Sequence, residues 1–196
     1  MAVDRERVAA LVRDLLEAIG EDPDRPGLKQ TPQRVADAYT EFFSGVGADP
    51  AAPLAHTISV ARGPAPDTLP SGAVMLRGIR FRSFCEHHLL PFAGRAHIAY
   101  LPGEQVVGLG ALPRVVDILA ARPQVQERLG EQIADTIAAA LDARGVLVVL
   151  DAAHDCVTMR GGRQTDATTV TVAARGDFTE PAARAELVAL ISGGAP

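Results

Sequence analysis

Three observations on this 196-residue chain predict an α+β fold. Strand-like segments are grouped before and after a pair of helix-like segments, which favours helices packed on one face of an antiparallel sheet. The stretch TTVTVAA, residues 168–174, alternates apolar and polar positions as a half-buried strand does. Hydrophobic residues make up 47% of the chain and charged residues 22%, enough apolar side chain to build a core around such a sheet.

The elements follow from local patterns. Val8, Leu11, Val12, Leu15, Leu16 and Ile19 recur at helical spacing. EDPDRPGLKQ breaks that pattern, and Thr31-Pro32 then offers a hydroxyl cap with proline in the first turn. Val35, Tyr39, Phe42 and Phe43 mark the buried face of this second helix, and Gly45 is suited to end it. Residues 47–73 are rich in Pro, Gly and Ala, with one weak strand candidate, HTISVA. VMLRGIRFR, GRAHIAYL and VVGLG read as strands. Leu112, Val115, Val116 and Leu119 predict a short helix. Pro123 opens a longer one, with Val125, Leu129, Ile133, Ile137 and Leu141 on one face and Gly145 as its stop. VLVVLDA is a buried-type strand, and PAARAELVALI is a final helix. The domain organisation expected is an N-terminal helical segment (1–46), a linker (47–73) and a main sheet-containing domain (74–196).

Bulk properties exclude several functions. The net charge of −5 gives no broad attraction to nucleic acid. No apolar run approaches the roughly 18 residues needed to span a membrane. The start of the chain reads as an amphipathic helix containing acids, not as a signal peptide. A cytoplasmic protein is expected, and in a reducing compartment its two cysteines favour metal binding or burial over a disulfide. Lys29 is the only lysine among 19 basic residues, a skew that reads as compositional bias.

The stretch CEHHLLPF, residues 85–92, holds three of the chain's seven cysteines and histidines. Thiolate and imidazole are zinc ligands, and catalytic zinc sites keep three protein ligands and one open position. Cys85 and His88 have a ligand-like spacing. On an extended strand His87 and His88 would point to opposite faces, so only one of them is expected to join Cys85. The third ligand must come from afar, and Cys156, with His154 beside it, is the only other cysteine. Three ligands with spare imidazoles suit hydrolysis by an activated water. Two buried cysteines and surface histidines would fit the same spacing.

Longer motifs narrow the choice. TPQRVADAYTEFFSG, FRSFCEHHLLPFAGRAHIAYLP, RPQVQERLGEQIADTI and DAAHDCVTMRGGR, in this order, closely resemble the GTP cyclohydrolase I family across residues 5–191. The resemblance implies a tunnelling fold, in which sheets of several subunits join into a barrel, and a homodecamer with sites at subunit interfaces. It implies zinc held by Cys85, His88 and Cys156, with His87 and His154 handling protons. It implies attack of water at C8 of guanine, opening of the imidazole ring and loss of formate. In GTP cyclohydrolase I the ribose carbons then close a new ring, giving 7,8-dihydroneopterin triphosphate. It also implies that Gln126 and Glu127 hold the base. A carboxylate accepting from N1–H and the 2-amino group selects guanine over adenine.

Three departures from the family pattern fall on the triphosphate grip. Asp37 stands where the family usually has lysine, Gly110 and Ala111 replace a serine and a lysine, and Val172 replaces another serine. A lysine-averse composition should substitute arginine, which keeps phosphate binding; aspartate and alanine do not. Arg34, Arg114 and Arg160 remain as anion contacts. The expectation is C8 hydrolysis of GTP, with two alternatives: the same chemistry on a guanine nucleotide, nucleoside or base with fewer or no phosphates, and a non-catalytic ring that binds a pterin or nucleotide.

Overall fold

The computed structural model describes residues 3–59 and 72–193, so part of the expected linker, residues 60–71, lies outside the described residues. Contacts divide the chain into two compact units, Met1–Ala48 and Asp49–Pro196.

In the first unit, α1 (Arg5–Ala18) starts at Asp4, whose carboxylate accepts from the backbone N–H of Arg7. That carboxylate satisfies an orphan N–H and suits the positive end of the helix. Helix α2 (Thr31–Phe42) begins at the expected cap itself: Thr31 is already helical, and Gln30 occupies the cap position without a side-chain bond. Pro32 still sits in the first turn, where its missing N–H costs nothing. Arg5 on α1 forms an ion pair with Asp37 on α2. Along α1, Val8, Val12 and Leu16 are half-buried, whereas Leu11, Leu15 and Ile19 form an exposed stripe.

The second unit runs β1 (Thr57–Ser59), β2 (Val74–Cys85), β3 (Pro91–Leu101), β4 (Gln105–Val107), α3 (Ala111–Ala120), β5 (Pro123–Gln124), α4 (Gln126–Leu141), β6 (Gly145–His154), α5 (Asp155–Thr158), β7 (Thr169–Gly176) and α6 (Pro181–Ser192). The main sheet has the order β5-β2-β3-β6-β7; β1 and β4 pair separately. All neighbours in the main sheet are antiparallel except β5, which lies parallel to β2.

The continuous apolar run of β6 has a direct cause: both its faces are covered. Val146, Val148 and Leu150 enter the main core with Leu112, Val115 and Leu119 of α3 and Leu129, Ile133 and Ile137 of α4. Each fully buried Leu or Ile here contributes about 1.5–3 kcal/mol relative to exposure. Leu147 and Val149 face the other way, against Phe178 and Leu187. Helix α6 thus adds cover on part of the second face, while α3 and α4 form the layer on the first.

Three local differences from the sequence reading matter for the site. Pro123 does not start the long helix; it belongs to the two-residue strand β5, and α4 begins at Gln126. Helix α4 ends on Asp142, in left-handed conformation (φ 44°), which leaves Gly145 free to open β6. The four-residue helix α5 was not legible in the sequence, being too short to carry a period. Gly94 on β3 is a steric requirement of the sheet. A Cβ there would lie 2.0 Å from the carbonyl oxygen of Asp151 on β6.

Candidate metal centre and active site

Strand β2 delivers Cys85 to the edge of the core, where it is buried. The chain then reverses. Leu89 N–H donates to the carbonyl of Cys85 (2.8 Å), and Cys85 N–H donates to the carbonyl of Leu90 (2.8 Å). Leu89 adopts φ 51°, a conformation that L-residues with a branched side chain seldom take outside constrained sites. His87 and His88 therefore sit in a tight turn and not on an extended strand. Their rings diverge for that reason, with centroids 6.3 Å apart and planes at 85°.

The pairing of β3 with β6 places His154 opposite Phe92, and α5 then carries Cys156 back toward Cys85. The ligand atoms of Cys85, His88 and Cys156 all lie within 4.8 Å of one another. His87 is not in that group. Neither cysteine is in a disulfide. Burial pushes the Cys156 thiol above its ordinary range, and the Cys85 sulfur beside it pushes in the same direction. Two thiolates with an imidazole are a zinc donor set. The residues present fit that ion.

Short connections hold this cluster against α4. Cys85 pairs with Gln124 in the parallel β2–β5 ladder, and Glu86 N–H donates to the carbonyl of Gln124 (2.9 Å). Buried Ser83 donates to the carbonyl of Ala120 (2.7 Å), tying β2 to the end of α3. Arg128 donates to both carboxylate oxygens of Glu86, at 2.7 and 2.9 Å. The ligand turn and the first turn of α4, with Gln126 and Glu127, are thereby fixed to each other.

His154 stacks on Phe92, with ring centroids 4.5 Å apart and planes within 4°. Its Nε2 lies 2.7 Å from Oε1 of Gln126. Burial holds its pKa below the ordinary histidine range, opposed by the charge of Glu127. Glu127 is exposed and lines a cleft of about 220 Å³ with Gly130, Glu131, Thr171, Val172 and Ala173.

The profile of the family described as GTP cyclohydrolase I matches residues 8–192. The chain belongs to the GTP cyclohydrolase I family. It is 64% identical over 192 residues to a protein of Leifsonia xyli subsp. xyli named GTP cyclohydrolase 1, covering 98% of this chain and 97% of that one. Proteins of the same name from Rhodopirellula baltica and Carboxydothermus hydrogenoformans are 51% and 49% identical. The first match covers 97% of this chain and 80% of the relative, the second 99% and 98%.

Within this GTP cyclohydrolase I framework, the expected site residues fall into distinct groups. Cys85, His88 and Cys156 converge, with His154 two residues from Cys156. Gln126, expected on the base, is buried, and its amide nitrogen lies within hydrogen-bond distance of Leu150 O, Thr169 O and Thr171 Oγ1. Its Oε1 lies against His154. Arg160 is exposed, and its charge reaches Cys156. Arg114 is exposed on α3. Arg34 belongs to the N-terminal unit, where it donates to Gln30 (2.8 Å).

The departures from the family pattern also acquire context. Asp37 is the partner of Arg5 and so joins α1 to α2. Gly110 is the cap residue of α3 and provides no side-chain cap bond. Sequence reasoning missed Phe92, Thr171 and the Glu86–Arg128 pair. The only signal for the pair was an opposite charge next to each of two site motifs, which without the fold cannot be matched.

Proposed function

We propose that this chain is a zinc-dependent hydrolase that cleaves GTP at C8 of the guanine ring, releases formate and yields 7,8-dihydroneopterin triphosphate. The observation that carries the reading is the convergence of Cys85, His88 and Cys156 from distant parts of the chain, with His154 packed alongside. The proteins named GTP cyclohydrolase 1 that are similar over nearly the whole chain support GTP as the substrate.

Cys85, His88 and Cys156 would hold the zinc, which when bound supplies Lewis acidity for activating water. His154 exchanges a proton with the reacting groups, and His87, exposed on the ligand turn, is the second proton-handling group. Glu127 accepts from N1–H and the 2-amino group of guanine, an acceptor pattern that adenine cannot match. Arg34, Arg114 and Arg160 contact the phosphates. Each such charge-assisted contact is worth about 1.5–3 kcal/mol, which compensates in part for Asp37, Gly110 and Ala111.

The working form is a homodecamer of the tunnelling-fold type. Two features of the chain suit assembly: the exposed Leu11, Leu15 and Ile19 of α1, and the edge strand β7 with exposed Val170 and Val172. A cytoplasmic setting suits two free thiols, and no helix among the described residues is long and apolar enough to cross a membrane.

The test is formate release from the zinc-loaded protein, comparing GTP, GDP, GMP and guanosine. Preferential turnover of GTP is expected. Formate from guanosine or GMP but not from GTP would reassign the substrate, and no formate from any of them would overturn the hydrolase reading.

A further inference from the structure

We infer that Gln126 is a positioning residue that fixes the imidazole of His154 beside the Cys85–His88–Cys156 group, in the tautomer with its proton on Nε2. The inference rests on the reading that His154 acts in the hydrolysis.

The amide of Gln126 can be oriented without ambiguity. Its Nε2 lies 3.1 Å from the carbonyl oxygen of Leu150, 2.8 Å from that of Thr169 and 3.2 Å from Thr171 Oγ1. Carbonyl oxygens only accept, so the amide nitrogen must face them. The reversed amide would set oxygen against two oxygens in a buried site. Oε1 is therefore the atom 2.7 Å from His154 Nε2. An acceptor at that distance requires an N–H on the imidazole, and a neutral ring then keeps its lone pair on Nδ1.

The surrounding structure makes this orientation rigid. Leu150 lies on β6, and Thr169 and Thr171 lie on β7. Leu150 pairs with Thr171, so the sheet register itself fixes where the amide points. Phe92 lies flat against the imidazole and restricts its rotation.

The experiment uses the zinc-loaded full chain labelled with ¹⁵N-histidine, with His154 assigned by its loss in His154→Ala. Two-bond ¹H–¹⁵N spectra report which nitrogen carries the proton. Nε2–H is expected in the unmodified protein and a mixture of tautomers in Gln126→Leu. In that variant kcat for formate release should fall about 10- to 100-fold, the range for partners that orient a site histidine, with KM for GTP and zinc content unchanged. If Gln126→Leu does not fold, the tautomer measured in the unmodified protein decides the matter.

A proton on Nδ1 in the unmodified protein would overturn the inference. So would a raised KM with unchanged kcat in Gln126→Leu, the signature of a base contact. If the unmodified protein releases no formate from GTP, the proposed function fails, yet the tautomer spectra still decide the role of Gln126.

Discussion

Glu86 and Arg128 meet in a two-point ion pair, at 2.7 and 2.9 Å, that locks the turn carrying Cys85 and His88 to the first turn of α4. Glu86 follows Cys85 directly, and Arg128 follows Glu127. The pair therefore sets the distance between the metal ligands and the carboxylate proposed to read guanine. Arg128→Met keeps the length of the stem and removes the fork. Zinc affinity is expected to fall about 10- to 100-fold, as when a partner of a metal ligand is lost, measured by competition with a chelator. Arg128→Lys should restore little of it, because a point charge does not replace a planar two-point donor.

Removing a ligand should be more severe. Cys156→Ala is expected to lose zinc and formate release together. Metal content by elemental analysis and a formate assay on the same preparation check this. Activity persisting in a zinc-free Cys156→Ala protein would refute the site assignment.

Glu127 should separate base recognition from metal binding. Glu127→Ala is expected to keep one zinc per chain while kcat/KM for GTP falls by roughly 10- to 150-fold, the equivalent of one charge-assisted contact. Discrimination against ATP should shrink in the same variant. Unchanged affinity for GTP would remove Glu127 from the guanine contacts.

The triphosphate departures can be reversed. A Cβ on Gly110 would meet no atom within 4 Å, so Gly110→Ser fits without rearrangement. Serine is also a good cap for α3, which lacks a side-chain cap bond. The double variant Gly110→Ser, Ala111→Lys is expected to lower KM for GTP by about tenfold with kcat little changed, consistent with one added cation contact. The same variant should not alter KM for guanosine.

The N-terminal unit carries its own pH dependence. Asp24 accepts from Arg13 at 2.6 and 3.1 Å, and this hydrogen bond, with the charge of Arg13, holds its carboxyl below the ordinary aspartate range. A depressed folded pKa gives stability that is present above the unfolded value and lost as pH falls through the folded one. Asp24→Asn should therefore lower the melting temperature at pH 7. The difference should shrink as pH falls below the unfolded value of about 3.9 and close once the folded carboxyl is protonated as well. Both residues are exposed, so high salt should shrink the pH 7 difference.

The periodic elements were readable because side-chain burial imposes their period. Leu129, Ile133 and Ile137 revealed α4 since a helix buries one stripe, and VLVVLDA revealed β6 since both its faces are covered. Elements without a period were not readable. The two residues of β5 and the four of α5 are too short to repeat anything, yet they bring Gln126 and Cys156 to the site. The reason given for the divergence of His87 and His88 was strand alternation; the structure supplies a tight turn with Leu89 in left-handed conformation.

The sequence by itself determined the ligand types, the family motifs and the departures at Asp37, Gly110, Ala111 and Val172, because these are matters of residue identity. It left open which atoms meet. Tertiary structure decided that Cys85, His88 and Cys156 converge, that Asp37 pairs with Arg5, and that Gln126 bonds the sheet and His154. The Asp37–Arg5 pair depends on the packing of α1 against α2, and the other two outcomes on the register of β2, β3, β6 and β7. Register is fixed by which face of each strand the core accepts, a property of the packed chain and not of any single stretch of it.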